Sequence, residues 1–158
     1  MSSLEQLYQQ VILDHSRRRS GQGSLDDFVF TSKQVNPTCG DEVTLGAKLS
    51  ENGHIELSWD GDGCSISQAS LSMMSELVEE ASVDDLREMY RAMDQMMHSR
   101  GRGVEDDVLD VLGDAAALEG TSKFANRIKC SLLGWLALRD ALAQAGVDIT
   151  AEEEETNE

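Results

Sequence analysis

The chain has 158 residues, a formal net charge of −17, one proline and three cysteines. That length suffices for one domain with a buried core, and the acidic balance is the reverse of what a nucleic-acid-binding face requires. No apolar run approaches the roughly 18 residues of a membrane span, and Glu5, Gln6, Gln9 and Gln10 interrupt what would otherwise resemble a secretory signal. An odd cysteine count in such a chain points to a reducing cytoplasm and not to disulfides.

In chain order, Ser2-Ser3-Leu4-Glu5 reads as a capping box. Leu4, Leu7, Tyr8, Val11 and Ile12 recur behind it at helical spacing. The helix is expected to end by residues 19–23, where Gly21 and Gly23 punctuate. Arg17, Arg18 and Arg19 read as a solvated last turn, with docking to an acidic partner patch the less favoured alternative. Residues 28–36 form a strand of poor alternation. Residues 42–50 are clearer, since Val43, Leu45, Ala47 and Leu49 alternate with polar or small neighbours. Glu51-Asn52-Gly53 then turns a hairpin, and Ile55, Leu57 and Trp59 alternate on the return strand.

From Ser65 the period becomes helical, with Ile66, Ala69, Met73, Leu77 and Val78 on one face and Cys64 at the helix start. A further helix opens at Ser82, with Asp85 in its first turn, and carries Val83, Leu86, Met89, Tyr90, Met93, Met96 and Met97. A methionine stripe at this spacing reads as core in preference to a binding groove. After the loop Arg100-Gly101-Arg102-Gly103 a short helix covers residues 104–112. A last helix runs from near Ser122 to Ala145, with Gly146 as its C-terminal cap. Helix, strands, then helices define an α+β fold, a small antiparallel sheet of about three strands packed against a layer of helices. A single domain is expected over residues 1–149. The acidic tail 150–158 has the composition of disordered, solvating charge.

The three cysteines stand in Pro37-Thr38-Cys39-Gly40-Asp41, Gly61-Asp62-Gly63-Cys64-Ser65 and Arg127-Ile128-Lys129-Cys130, none of which resembles packed core. Three thiolates and one carboxylate, Cys39, Asp41, Cys64 and Cys130, make a four-ligand site, the number zinc prefers, although a purely structural site would more often be all Cys and His. In an extended segment Cys39 and Asp41 would point the same way, with Gly40 free to wrap tightly between them. At a helix N-terminus Cys64 meets free N–H groups and a dipole that favour the thiolate. Arg127 lies three residues before Cys130 on the same helical face. Four such ligands around a dication leave a charge of about −2, which the Arg127 guanidinium would offset, and it would hold a thiolate released from the metal. His15, His54 and His98 neighbour no cysteine and read as surface or capping residues. No Ser-His-Asp order, phosphate loop or dinucleotide fingerprint stands out.

The cysteine motifs, with Ala69-Ser70-Leu71-Ser72-Met73-Met74 and Leu7-Tyr8-Gln9-Gln10-Val11-Ile12-Leu13-Asp14-His15, resemble the U-type (IscU/NifU N-terminal) iron–sulfur cluster assembly family over residues 4–143. Within it the chain is similar to the SufU-like branch. Lys129 stands where the IscU branch has a histidine before the third cysteine, and Leu118–Lys123 lacks the prolines of the IscU chaperone motif. The long Cys64–Cys130 interval also fits, with an insertion in residues 82–112. The resemblance implies a SufE/IscU-like fold and a zinc-dependent sulfurtransferase. Its implied partner is a PLP-dependent cysteine desulfurase of the SufS type, and the sulfur moves on to downstream iron–sulfur scaffold proteins. It further implies Cys39, Asp41, Cys64 and Cys130 as zinc ligands, Cys39 as sulfur acceptor and Arg127 as an aid to ligand exchange. The alternative is a scaffold holding a [2Fe–2S] cluster on the same four residues. A domain with a purely structural zinc site is the third reading.

Overall fold

Helix α1 (Ser3–Arg18) begins at the expected capping box: Ser2 Oγ accepts from the Glu5 N–H, and Glu5 accepts from the Ser2 N–H. It ends at Arg19, whose φ of 51° is left-handed and whose N–H returns to the His15 carbonyl. The computed structural model describes residues 2–79 and 81–150. Three strands follow α1, β1 (Thr31–Asn36), β2 (Asp41–Leu49) and β3 (Ile55–Asp62), antiparallel in the order β1-β2-β3. Val43, Leu45 and Ala47 on β2, with Ile55 and Trp59 on β3, are buried as their alternation requires. β1 is shorter than the expected 28–36, because Phe28 leaves the sheet to cover Gly46, where a Cβ would fall within 2.6 Å of it.

Helices α2 (Ser65–Val78), α3 (Val83–His98), α4 (Asp106–Leu112) and α5 (Ala125–Gln144) complete the fold. α5 lies across β1 and β2, α2 packs against α5, and α1 packs on α2. α3 has the expected cap, Ser82 and Asp85 exchanging hydrogen bonds, and Met93, Met96 and Met97 are core, not groove. α5 closes in a Schellman motif, with Gly146 at φ +87° and N–H bonds from Gly146 to Ala143 and from Val147 to Leu142. Among the described residues no helix is long and apolar enough to cross a membrane. The acidic tail lies, from residue 151, outside the described residues.

The start of the last helix also differs from expectation. The last helix starts at Ala125, not Ser122, and Gly113–Lys123 is a run of 3-10 turns. Hydroxyls hold that tighter winding, since Thr121 Oγ1 donates to the Leu118 carbonyl at 2.7 Å and Ser122 Oγ to the Glu119 carbonyl at 2.8 Å. Phe124, extended at φ −127° and ψ 120°, then separates the turns from α5.

Candidate metal centre

The β1–β2 connection is a tight turn. Asn36 pairs with Asp41 across the two strands, and the Asn36 carbonyl accepts the Cys39 N–H at 3.2 Å. Gly40, at φ +72°, takes the left-handed step that returns the chain to β2. Cys39 and Asp41 are thus aimed together by a turn, not by the strand alternation expected for them. Cys64 caps α2, its sulfur accepting the Ser67 N–H at 3.5 Å. Cys130 sits in the first turns of α5, where that helix meets β1 and β2.

These elements bring Cys39, Asp41 and Cys130 into one cluster, with Cys64 beside Asp41 at its edge. Cys39 Sγ, an Asp41 carboxylate oxygen and Cys130 Sγ lie within 4.8 Å of one another. The two sulfurs are 3.4 Å apart, and Cys64 Sγ is 3.8 Å from Asp41 Oδ2. Tetrahedral zinc with thiolates at about 2.3 Å sets its sulfurs roughly 3.8 Å apart, close to the Cys39–Cys130 separation, while the Cys64 sulfur would have to move inward to complete the set. Exposure is graded: Cys39 is exposed, Cys64 half-buried and Cys130 buried.

Hydrogen bonding distinguishes the two oxygens of Asp41, which is fully buried. Oδ1 accepts the Cys64 N–H at 2.7 Å and the Ser67 hydroxyl at 3.2 Å. Oδ2 faces the thiols and accepts the Asn36 amide at 3.3 Å. Burial pushes the Asp41 carboxyl up, but the Cys64 N–H and the hydrogen bonds of Cys130, Cys64 and Ser67 together outweigh it and hold it below its ordinary value. Burial pushes the Cys130 thiol strongly up, and Asp41, Cys39 and Cys64 around it act in the same direction. An ionised carboxylate beside a thiol that resists ionisation is a donor set for a cation, since a positive ion is what would release that proton.

Arg127 is exposed, and its guanidinium stacks on the Phe124 ring, 4.7 Å from the centroid. It is one turn from Cys130, and among the described residues it makes no hydrogen bond to a thiol. Of the histidines, His54 is half-buried, and His98 fits its expected surface or capping role, pairing with Asp94 in the last turn of α3. His15 does not: it is buried, with Nδ1 2.8 Å from Ser72 Oγ and Nε2 2.9 Å from Asp114 Oδ2. α1 uses it to bind α2 and the 3-10 segment. Two of the three clustered arginines are engaged within the chain. Arg18 pairs with Glu76, while Arg19 donates to Gln68 and the Gly61 carbonyl and stacks on Trp59.

Two site residues lie just outside the cysteine motifs read from the sequence and were given no role there, Asn36 and Ser67. Their signal is position alone, since each is a short polar side chain three residues from a cysteine. Gly63 is a third. A Cβ there would press on Asp41 Oδ1 and lie 2.6 Å from Ser67 Oγ. Gly63→Ala is expected to displace the Asp41 carboxylate and weaken zinc binding by about 10–100-fold. Competition with a chromophoric chelator measures this, and an unchanged affinity would show that the carboxylate does not depend on that clearance.

A three-stranded sheet backed by helices, carrying a thiol–carboxylate cluster at a hairpin turn and two helix starts, defines a small α+β domain of one recognisable kind. Residues 7–144 match the NifU-like N-terminal domain, and the chain belongs to that family. It is 38% identical over 143 residues to the zinc-dependent sulfurtransferase SufU of Bacillus subtilis (strain 168), spanning 90% of this chain and 94% of that one. It is 37% identical over 145 residues to the iron–sulfur cluster assembly scaffold protein IscU of Streptococcus pyogenes serotype M1, spanning 92% and 88%. A NifU-like N-terminal protein of Brucella abortus shares the fold at a TM-score of 0.73 and 25% identity, over 92% of this chain and 98% of that one. So does a scaffold protein for the SUF system from Fervidobacterium islandicum AW-1, at 0.71 and 29%, over 89% and 99%.

Proposed function

We propose that this chain is a zinc-dependent sulfurtransferase that accepts persulfide sulfur from a PLP-dependent, SufS-type cysteine desulfurase and passes it on toward iron–sulfur cluster assembly. The observation that carries the reading is the graded exposure of the three thiols: Cys39, on a turn, is open to solvent, while Cys130 and Asp41 behind it are buried. Cys39, Asp41, Cys64 and Cys130 would hold the zinc, which supplies thiolates at neutral pH without redox chemistry of its own.

Cys39 is the nucleophile. Its thiolate attacks the outer sulfur of the desulfurase persulfide, a new S–S bond forms on Cys39, and the desulfurase cysteine leaves as a thiolate. Atoms and electrons balance without an added oxidant or reductant. A turn residue reaches an incoming persulfide with less backbone cost than a residue in mid-helix, and Arg127 stands one turn from Cys130 to offset the negative charge of the cluster. Its guanidinium rests over the Phe124 ring, just before the helix that carries Cys130.

The test is desulfurase turnover with cysteine as substrate, using metal-quantified protein. Zinc-loaded protein is expected to accelerate sulfide release strongly, and zinc-stripped protein to leave it at the basal rate. The second reading, a [2Fe–2S] scaffold, draws on the similarity to a protein named IscU. It predicts the opposite pattern: no acceleration, and a stable iron–sulfur chromophore on the purified protein.

A further inference from the structure

We infer that Asn36 is a positioning residue that decides which thiolate of the site reacts, by holding Cys130 and Asp41 in place and leaving Cys39 without an N–H donor. This rests on the reading of Cys39, Asp41, Cys64 and Cys130 as a zinc site. Asn36 ends β1, is 5% exposed, and its carbonyl accepts the Cys39 N–H, so the residue that shapes the Cys39 turn also reaches behind it. Its Nδ2 lies 3.3 Å from Asp41 Oδ2 and 3.5 Å from Cys130 Sγ, two acceptors for two amide hydrogens.

The donors around the three sulfurs are unequal. Cys130 has the Asn36 amide and Cys64 has the Ser67 N–H. Among the described residues Cys39 is approached only by the Cys130 thiol, at 3.4 Å, and that hydrogen is gone once both sulfurs are thiolates. An N–H···S bond draws charge from the sulfur and makes it a poorer nucleophile, as hydrogen bonds to bound ligands generally tune them. Two of the thiolates are therefore quietened and anchored, and the exposed one is not.

The chemistry of the position favours an amide. A buried cation between Asp41 and Cys130 would compete with the metal, a carboxylate would add a further negative charge, and an apolar side chain would leave the buried Cys130 sulfur without its N–H donor.

The experiment compares zinc-loaded wild type with Asn36→Ala under limiting iodoacetamide, the label on each cysteine being counted by peptide mass spectrometry. Wild type is expected to carry the label at Cys39, and Asn36→Ala to spread it to Cys130, with zinc affinity lowered by about 10–100-fold. In cobalt-substituted protein the thiolate-to-metal charge-transfer band is expected to move to lower energy in the variant, which a purely structural role would not cause. A variant that labels only Cys39 and leaves that band unmoved, whatever its melting temperature, overturns the inference. If Asn36→Ala does not fold, Asn36→Ser, which also lacks the two-hydrogen amide, is read by the same two measurements. A wild type that retains no zinc on metal analysis overturns the metal-site reading itself, a distinct result.

Discussion

Cys39→Ser is expected to lower sulfur acceptance by on the order of 10³-fold, the scale of losing a nucleophile outright, while binding to the desulfurase persists. The substitution exchanges one atom on an exposed turn and leaves the surface otherwise unchanged. Serine lacks a thiolate at neutral pH and cannot form the new S–S bond. Transfer from radiolabelled cysteine through the desulfurase measures acceptance, and calorimetry or native electrophoresis measures binding. Cys130→Ser is the informative contrast. That sulfur is buried among Asn36, Asp41 and Cys39, so its loss should appear first as weakened metal binding and lower stability. If Cys39→Ser accepts sulfur at the wild-type rate, the acceptor is another thiol, and half-buried Cys64 becomes the candidate.

Zinc removal is expected to lower the melting temperature by about 8–16 °C. The four proposed ligands come from the β1–β2 turn, the start of α2 and the first turns of α5, so one ion would tie three segments distant in the chain. Free zinc at about 1,000 times its Kd stabilises a one-site protein by roughly 4 kcal/mol. For a chain of this size each kcal/mol corresponds to about 2–4 °C. Metal binding should also release protons near pH 7, because burial holds the Cys130 thiol protonated in the metal-free chain. Thermal melts of loaded and chelator-stripped protein, with calorimetry in buffers of different ionisation enthalpy, measure both effects. Coincident melts would mean that the cluster does not close on the ion.

Much of the architecture was legible locally. The capping boxes at Ser2 and Ser82, the hairpin turn at Glu51–Gly53, the α2 start at Cys64 and the Gly146 cap each depend on a few neighbouring residues, and each lies where expected. The 3-10 run was not legible. Its sequence suits an α-helix well enough, and hydroxyl bonds from Thr121 and Ser122 to carbonyls three residues back select the tighter winding. His15 was misjudged for a different reason. A histidine in the last turn of an amphipathic helix is commonly solvated, and only the packing of α1 on α2 encloses this one between Ser72 and Asp114.

The candidate site divides along the same line. Residue chemistry alone singled out Cys39, Asp41, Cys64 and Cys130, because three thiols and a carboxylate in glycine-bearing turns and at a helix start are poor core material and good metal donors. What those residues have in common is intrinsic to their side chains, so it can be read before any fold is known. Which thiol faces solvent, which carboxylate oxygen is engaged and which amide stands behind the cluster are matters of relative position. Asn36 meets Cys130 across 94 residues of chain, and Cys130 meets Cys39 across 91. Local preference cannot set such distances. They follow from the packing of α5 against β1 and β2, which is decided by the whole buried core at once.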